Sequence, residues 1–335
     1  MFDNSTVFVL GAGVSVPYGF PSGIGLVDAI CKGSTSRRIV IPQILKQALP
    51  GRHIEIDAFL TALRESQPYS IDRWLESNPK YMDMGKLAIA LVIADAEKTS
   101  LHKEVEPHED WFRWICQAML TDKIKDLVKN NITFLTFNYD RLAERTLSRF
   151  ITHHYLEASP TERTEAIEQV SRKILHVHGM LKYNPVPNHN GSYGCISIED
   201  MFRPEAGGRR NEAAALAHYM AQTIKIISED DHDKAILAQA SAAFAVAQKI
   251  IFLGFGYDSR NLSRIGMAVK RNDVTALPPV NPNTDPLNYP IIGSAMGLEL
   301  AQRRSIKNFC NGRIYLDEDG LNAKQFCDRY VTLQP

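Results

Sequence analysis

The chain has 335 residues, of which 44% are hydrophobic and 23% charged, and its 38 basic and 38 acidic side chains give a formal net charge of zero. This balance excludes a whole-protein attraction to nucleic acid or to a membrane surface, so neither direct nucleic-acid binding nor membrane association is expected. Three isolated basic doublets are interpreted as solvated surface: residues 37–38, 209–210 and 303–304.

No segment predicts a membrane or secretory location. The longest apolar run, residues 87–94, is far shorter than the about 20 residues that cross a bilayer. The opening residues, MFDNSTVF, have no basic region ahead of a long apolar stretch, so no signal peptide is expected. Five scattered cysteines form neither a disulfide framework nor a pair of C-x-x-C motifs. A cytoplasmic location is the resulting prediction.

Four short apolar runs predict strands. They are residues 7–10, 132–136, 173–177 and 250–253. Each is nearly continuous in apolar character and ends at a polar or glycine-rich turn, a pattern typical of parallel strands covered on both faces. Helical patterns alternate with them, at 142–150 and at the alanine-rich 235–248. This alternation predicts an α/β fold with a Rossmann-like doubly wound parallel sheet.

Two long inserts interrupt the alternation. About 120 residues separate the first two strands, more than one crossover helix requires, and helical patterns at 84–97 and 110–129 predict a helical insertion at 40–130. A second insertion is predicted at 183–233. The whole of 1–335 is interpreted as a single domain, in which residues 259–335 form a C-terminal part whose role the sequence does not assign.

The first strand runs into a glycine turn, Gly11-Ala12-Gly13. Where a strand is followed by a glycine turn and then a helix, the backbone N–H groups at the start of the helix can bind an anion. Glycine in the turn lets a phosphate approach the main chain closely. Val16 takes the third glycine position of G-x-G-x-x-G, and no strand ending in an acid follows about 20 residues later. The turn therefore favours a nucleotide site unlike that of an ordinary dehydrogenase. A tight turn without a ligand is the alternative.

Polar residues follow the next two strands. Asn138 and Asp140, in TFNYD, belong at the carboxyl edge of the sheet, where open α/β folds bind ligands; helix capping is their alternative role. In HVHG, His176 and His178 face the same side if the strand continues that far, but no third metal ligand is near. His178 is the better candidate for a general base, and His176 for a structural histidine. After the fourth strand, GFGYD repeats the glycine pattern, as a second approach to the ligand or as a plain turn.

Taken in this order, the four motifs resemble those of sirtuins. GAGVS is similar to the sirtuin turn G-A-G-x-S, TFNYD to T-Q-N-x-D, and VHG to L-H-G with its catalytic histidine, while GFGYD occupies the place of G-T-S. The forms FNYD and GFG are closer to the bacterial sirtuin-like proteins of antiphage defence, which degrade NAD. The motifs span residues 11–258.

Two features of protein-deacylating sirtuins are missing from the chain. There is no C-x-x-C pair to hold zinc, so no metal is expected, and GFPSG at residues 19–23 replaces the loop G-I-P-D-F-R. Both departures count against peptide deacylation and agree with the defence branch. The resemblance therefore implies NAD as the substrate.

The resemblance also implies roles for individual residues. Asn138 and His178 are the catalytic pair, and Asp140 is a candidate for stabilising the positively charged sugar or the nicotinamide amide. The implied cofactor-binding residues are Gly11, Ala12, Gly13, Ser15, Phe20, Gly254, Gly256 and Asp258.

The favoured function is an NAD glycohydrolase that yields nicotinamide and ADP-ribose and depletes NAD during phage infection. A zinc-free NAD-dependent protein deacylase and a catalytically silent NAD or ADP-ribose sensor are the alternatives. Because the sirtuin-like region uses nearly the whole chain, control is expected from homo-oligomerisation or from a separate activating partner, such as an ATPase or a nuclease. The apolar segments 87–96 and 235–247 are interpreted as core, with an oligomer interface as the alternative.

Overall fold

The computed structural model describes residues 1–32, 40–182, 210–226, 230–267, 280–281 and 284–331. Much of the predicted second insertion, at 183–209 and 227–229, lies outside the described residues, as do Cys195 and the basic residues 37–38 and 209. The four described cysteines are free thiols in the interior. None of the helices in the described ranges combines the length and apolar character that crossing a membrane requires.

A six-stranded, all-parallel sheet forms the centre of the fold. The strands are β1 Thr6–Leu10, β2 Ile132–Thr136, β3 Ile174–His176, β4 Lys249–Leu253, β5 Ile291–Gly293 and β6 Ile314–Leu316. Their order in the sheet is β3-β2-β1-β4-β5-β6, that of a doubly wound Rossmann-like fold. The predicted fold class is confirmed.

The central strand β1 is buried on both faces. Phe8 and Leu10 pack into one hydrophobic cluster, while Val7 and Val9 pack into another. Successive side chains of a strand point to opposite faces, so an uninterrupted apolar run is what a doubly covered strand requires. The four predicted strands have this character, and each lies within two residues of its predicted bounds.

The C-terminal part completes the sheet. β5 pairs with β4 and β6 pairs with β5, both in parallel. Sequence analysis missed these two strands because each has only three residues, too few to establish a period. Residues 259–335 therefore include an integral part of the fold.

Fourteen α-helices are described around the sheet. Between β1 and β2 lie α1 Gly23–Lys32, α2 Ile41–Ala48, α3 His53–Ser66, α4 Ile71–Ser77, α5 Met82–Ser100, α6 Trp111–Met119 and α7 Ile124–Leu127. The later ones are α8 Leu142–His154, α9 Pro160–Ser171, α10 Arg210–Thr223, α11 Asp230–Val246, α12 Ser259–Arg264, α13 Leu300–Phe309 and α14 Ala323–Tyr330.

The seven helices after β1 form what we call the helical layer. Six of them, α2–α7, lie within 40–130, the range predicted as a helical insertion. All the side chains of α5 from Met84 to Glu97 are buried, which confirms core burial for 87–96. The single helix expected at 110–129 is wrong, because it is divided into α6 and α7. Leu120 is extended there, with ψ 140°, and the Thr121 hydroxyl donates to the carbonyl oxygen of Lys123 at 3.0 Å.

Helix α11 is more exposed than expected. Its packing face consists of Leu237, Ala240 and Phe244, spaced at three and four residues. Most of its other side chains between 235 and 247 are exposed, so core burial is wrong for that part of the segment. Alanines occur on both the buried and the exposed face of this helix, so the sequence did not distinguish the two faces.

Candidate active site

The two glycine turns meet at the point where the strand order reverses. Leu10 is opposite Thr136 of β2 and Leu253 of β4, so the three strands end at the same level. The N–H of Gly11 donates to Leu253 O at 3.0 Å, and that of Gly13 donates to Gly254 O at 2.9 Å. In open α/β sheets this edge is where ligands bind.

Contact between the two turns accounts for three of the glycines. A Cβ on Gly11 would lie 2.5 Å from Gly254 O, and one on Gly13 would lie 2.8 Å from Gly254 Cα. Gly254 has φ 55°, and a Cβ there would overlap Val14 N. Backbone packing alone therefore requires glycine at these positions.

The exposed part of the two turns is small. Gly13 and Gly256 are exposed, and no atom lies within 4 Å of a Cβ built on Gly256. Ala12 is half-buried, and its carbonyl oxygen accepts a hydrogen bond from Ser15 N at 3.0 Å. The N–H groups of Gly11 and Gly13 already donate within the protein, so a phosphate approaching this edge would meet Ala12 and Gly256.

A buried network joins the turn after β1 to the end of β2. The side-chain amide of Asn138 donates to Gly11 O at 3.1 Å and to Ser15 Oγ at 3.2 Å. The Ser15 hydroxyl donates to Asp140 Oδ2 at 3.0 Å. Asp140 Oδ1 also accepts from Leu142 N at 3.0 Å, so Asp140 serves both the network and the start of α8. Asn138, Ser15 and Asp140 were each predicted as site residues, and the structure brings the three side chains together.

Burial has a large electrostatic effect on Asp140. It raises the pKa of the carboxyl group to about 6, and the negative charge of Glu97 acts in the same direction. Hydrogen bonds from Leu142 N–H and Ser15, with the positive charge of His176, limit the increase. Asp140 is therefore mostly ionised at pH 7, in a setting where its charge is poorly solvated.

His176 has a structural environment. Its Nδ1 lies 3.1 Å from Asn138 O and its Nε2 lies 2.6 Å from Glu144 Oε1. Burial alone would lower the pKa of His176, but the charge and hydrogen bond of Glu144, with smaller contributions from Asn138 and Asp140, raise it overall. Charged imidazolium donates through both nitrogens. β3 ends at His176 and does not continue to His178. The condition under which the two histidines would face the same side of a strand is therefore not met.

His178 is buried against aromatic rings just beyond β3. It is 4% exposed, and its ring meets Phe137 edge-on at 5.2 Å and lies 6.1 Å from the Tyr139 ring. Burial, assisted by the positive charge of Arg264, lowers the pKa of His178 to about 3, while a hydrogen bond with Asn261 opposes the shift. The imidazole is therefore neutral at pH 7.

The backbone of His178 is fixed by its neighbours. Its carbonyl oxygen accepts from Lys225 N at 2.9 Å, and Gly179 pairs with Ile224 in an antiparallel bridge. Gly179 has φ 73°, and a Cβ would overlap the carbonyl oxygen of Thr223. Glycine follows the histidine because the chain passes another backbone segment at close range.

Two predicted cofactor-binding residues have other contacts. Asp258 caps α12 by accepting from Arg260 N at 2.9 Å and from Asn261 N at 3.4 Å, and it is half-exposed. Phe20 is 3% exposed, in the hydrophobic cluster that also holds Val14. Neither side chain lies in the network around Asn138.

Sequence analysis missed several buried polar partners. Glu97 accepts from Arg141 N at 2.9 Å and from Arg141 Nη2 at 2.7 Å, with both side chains buried. The signal was an acid at the end of an otherwise apolar helix, since such residues are rarely buried without a partner. Glu144 and Asn261 gave no comparable signal, because each stands among other polar residues, in YDRLAERT and in YDSRNLSR.

Helix α4 contacts both the loop after β2 and helix α12. Asp72 accepts a hydrogen bond from the Tyr139 hydroxyl, and Glu76 forms an ion pair with Arg260 of α12. Burial raises the pKa of Asp72 to about 6. The helical layer thus contacts the loop after β2 and the start of α12.

A cleft of about 190 Å³ opens at the other end of the sheet. It lies where β1 and β4 begin, and its lining includes Thr6 and Lys249. The ammonium of Lys249 donates to the carbonyl oxygens of Leu287 and Tyr289, at 2.8 and 2.7 Å. None of the predicted site residues lines this cleft.

Residues 132–281 match the family model of the SIR2-like domain. Over this segment the chain is sirtuin-like. The segment covers a little under half of the 335 residues and contains TFNYD, HVHG and GFGYD, whereas GAGVS lies before it. A comparison with curated proteins found no match. A SIR2-like domain indicates NAD-related chemistry, and such domains are typically NAD-dependent enzymes.

The described part of the chain contains no cluster of three or more His, Cys, Asp or Glu side chains suited to a metal ion. The nearest acidic and histidine groups in the SIR2-like segment, Glu144 and His176, are bonded to each other. The other ring nitrogen of His176 lies 3.1 Å from the carbonyl oxygen of Asn138.

Proposed function

We propose that this protein hydrolyses NAD at the bond between nicotinamide and ribose, giving nicotinamide and ADP-ribose. The supporting observations are two. His178, in the SIR2-like segment, is buried and neutral, and its ring lies against Phe137 and Tyr139, the residues before and after Asn138. Asn138 and Asp140 of the same segment are joined through Ser15. Breaking this bond builds positive charge on the sugar, and nicotinamide leaves without needing a strong acid.

Each group of the site has a role in this reaction. The Asp140 carboxylate, poorly solvated and held by Ser15, supplies negative charge toward a cationic sugar. Neutral His178 accepts a hydrogen bond from a ribose hydroxyl or from the attacking water. Asn138 is held by its contacts with Gly11 and Ser15 and orients the water or the substrate.

The biological role we propose is depletion of NAD in antiphage defence, in the cytoplasm. An enzyme with this activity must be inactive in healthy cells, so we infer control by self-association or by a separate partner such as an ATPase or a nuclease. The sequence has no C-x-x-C zinc pair, which favours hydrolysis over protein deacylation. We propose that 1–335 acts as one sirtuin-like unit, with the helical layer as an insertion.

The test is NAD consumption by the purified full chain, with products separated by chromatography. His178→Ala and Asn138→Ala should each lose about a hundredfold or more of the turnover. His153→Ala and Asn308→Ala, both exposed on helices, are the matched controls. An acetylated peptide distinguishes the deacylase, which would consume NAD only in its presence.

The same assay is repeated with lysate from phage-infected cells to supply a partner. Turnover that appears only there and is lost in both active-site variants supports regulated hydrolysis. Binding of ADP-ribose without turnover in either setting contradicts hydrolysis and favours the sensor.

A further inference from the structure

The loop after β2 is anchored to the helical layer by one side chain. Tyr139 is 6% exposed, and its hydroxyl donates a hydrogen bond to the Asp72 carboxylate of α4. The same hydroxyl lies 3.4 Å from Lys225 O, and the carbonyl oxygen of Tyr139 accepts from Leu181 N at 2.9 Å. Tyr139 is therefore held at its side chain by α4 and at its main chain by the segment that follows His178.

The position of Tyr139 decides what this anchor holds in place. Its neighbours in the chain are Asn138 and Asp140, two of the three proposed catalytic residues. Its ring centroid lies 6.1 Å from that of His178, the third. Lys225, whose carbonyl oxygen is near the Tyr139 hydroxyl, donates its N–H to His178 O at 2.9 Å. A displacement of Tyr139 would therefore disturb all three residues.

The partner of the Tyr139 hydroxyl is a charged group in the interior. Burial raises the pKa of the Asp72 carboxyl group to about 6, and the negative charge of Glu76 acts in the same direction. Hydrogen bonds from Tyr139 and from a backbone N–H oppose the shift. The group is mostly ionised at pH 7, and an ionised acceptor forms a stronger hydrogen bond than a neutral one. Asp72 therefore holds the hydroxyl more firmly than a neutral acceptor would.

We propose that Asp72 is a positioning residue for the hydrolysis: it fixes the Tyr139 hydroxyl, and through Tyr139 it sets the placement of Asn138 relative to His178. This proposal rests on the proposed function. It gives the helical layer a part in the reaction, although none of the site residues implied by the sirtuin resemblance lies in that layer. Small misplacements of reacting groups can slow a reaction by up to about a hundredfold.

The kinetic test compares variants of the full chain by kcat and KM for NAD hydrolysis, measured per folded molecule. Asp72→Ala removes the acceptor, and Tyr139→Phe removes the donor but keeps the ring. Each should lower kcat about tenfold and leave KM within about twofold, because the placement of the reacting groups changes and the contacts with substrate do not. Asp72→Asn keeps an acceptor oxygen and should recover most of the loss. Asp83→Ala and Tyr69→Phe, both exposed, are the matched controls.

The double variant shows whether the two residues act through one contact. Asp72→Ala combined with Tyr139→Phe should lose about tenfold rather than about a hundredfold, because either change removes the same hydrogen bond. The double variant leaves neither partner of that bond unpaired, so it takes the place of Asp72→Ala if the single variant does not fold. Losses that multiply overturn the proposal, as does a lowered Tm with wild-type kcat in the folded protein.

The NMR resonances of the His178 imidazole give a readout that needs no turnover. An aromatic ring shifts the resonances of nearby protons, so a displaced Tyr139 ring changes those of His178. They should move in Asp72→Ala and stay in place in Asp83→Ala. Unchanged resonances in Asp72→Ala contradict the proposal whether or not the protein hydrolyses NAD.

The outcomes separate the two proposals. Hydrolysis of NAD by the wild type together with unchanged kcat in the variants removes the role of Asp72 and leaves the hydrolase standing. If the wild type hydrolyses no NAD, either alone or with lysate from phage-infected cells, both proposals fail.

Discussion

The side chains of Asn138 and Ser15, 123 positions apart in the chain, meet at 3.2 Å in the interior. Asn138 follows β2 and Ser15 follows the glycine turn of β1, so one hydrogen bond joins the ends of two neighbouring strands. The Ser15 hydroxyl then donates to Asp140, which leaves its oxygen free to accept from Asn138. A single hydroxyl thus holds two proposed catalytic side chains.

Ser15→Ala should disable this arrangement while the fold persists. It leaves Asp140 Oδ2 without its serine donor in the interior, which costs about 1–3 kcal/mol of unfolding free energy. We expect at least tenfold slower NAD hydrolysis, measured beside the exposed Ser305→Ala as the control. Wild-type turnover in Ser15→Ala would show that the network has no part in the reaction.

Gly254→Ala and Gly256→Ala should differ sharply in stability, although both lie in GFGYD. Gly254 has φ 55° and no room for a Cβ beside Val14, so alanine there should cost about 2 kcal/mol or more. Gly256 has open space around it and should tolerate alanine. Denaturant unfolding of both variants measures the difference. Equal stability would contradict the close contact of the two turns.

The Gly256→Ala variant also tests the nucleotide edge. Because its fold should be intact, any loss of ADP-ribose binding comes from the added methyl group at the exposed turn. We expect weaker binding if a phosphate approaches the backbone there. Unchanged affinity would remove Gly256 from the binding residues.

Asp140→Asn should raise stability and lower activity at the same time. The folded-state pKa of Asp140, about 6, lies above the ordinary value of 3.8, so the stability linked to its protonation is fully present below about pH 4 and lost as pH rises through 6. Asparagine avoids ionisation in the interior, which gains on the order of 3 kcal/mol at pH 7.5. The loss of one of the two accepting oxygens, which bind Ser15 and Leu142 N–H, offsets about 1 kcal/mol of that gain. The gain should fade toward pH 4.

Tm measured against pH for Asp140→Asn checks this window, with the exposed Asp328→Asn as the control. Hydrolysis should fall because the carboxylate charge is lost. A variant that is no more stable at pH 7.5 than at pH 4, relative to wild type, would contradict the effect of burial on this carboxyl group.

Glu144→Gln should lower the pKa of His176. The ion pair overcomes the effect of burial on His176, so removing the charge leaves burial dominant. In wild type the upward shift gives stability that is complete below about pH 6.5 and is lost as pH rises through the folded-state pKa. Asp140 and Glu144 are the charged groups that act on this imidazole.

The imidazole proton resonances followed by NMR titration measure that change directly. The surface variant Glu168→Gln, on α9, should leave the titration of His176 unaltered. An unchanged His176 titration in Glu144→Gln would show that the ion pair does not set its charge.

Local pattern was enough to predict the central strands and not enough to predict the contacts across the site. The runs that became β1, β2 and β4 are continuous and apolar, which two covered faces require. β5 and β6 are too short to show a pattern. Asn138 and His178 were recognised as candidates because they follow strands, and the SIR2-like match covers both.

What surrounds these residues depends on long-range packing. The charge of Arg264 and a hydrogen bond with Asn261 act on the pKa of His178, and both residues lie more than 80 positions later in the chain. The first turn needs its glycines because the second turn lies against them. Neither motif taken alone predicts that contact. Ring contacts such as that between Phe137 and Phe255 likewise follow only from strand order.

Asp72 and Glu76 lie one helical turn apart on α4, and between them they hold Tyr139 and Arg260. A rigid displacement of α4 would therefore act at the same moment on Tyr139, after β2, and on Arg260, at the start of α12. The loop after β2 and helix α12, which follows β4, are thereby coupled through α4, a helix that lies between β1 and β2 in the chain. Their amide hydrogens should exchange with solvent as one cooperative unit, although the sheet itself stays closed.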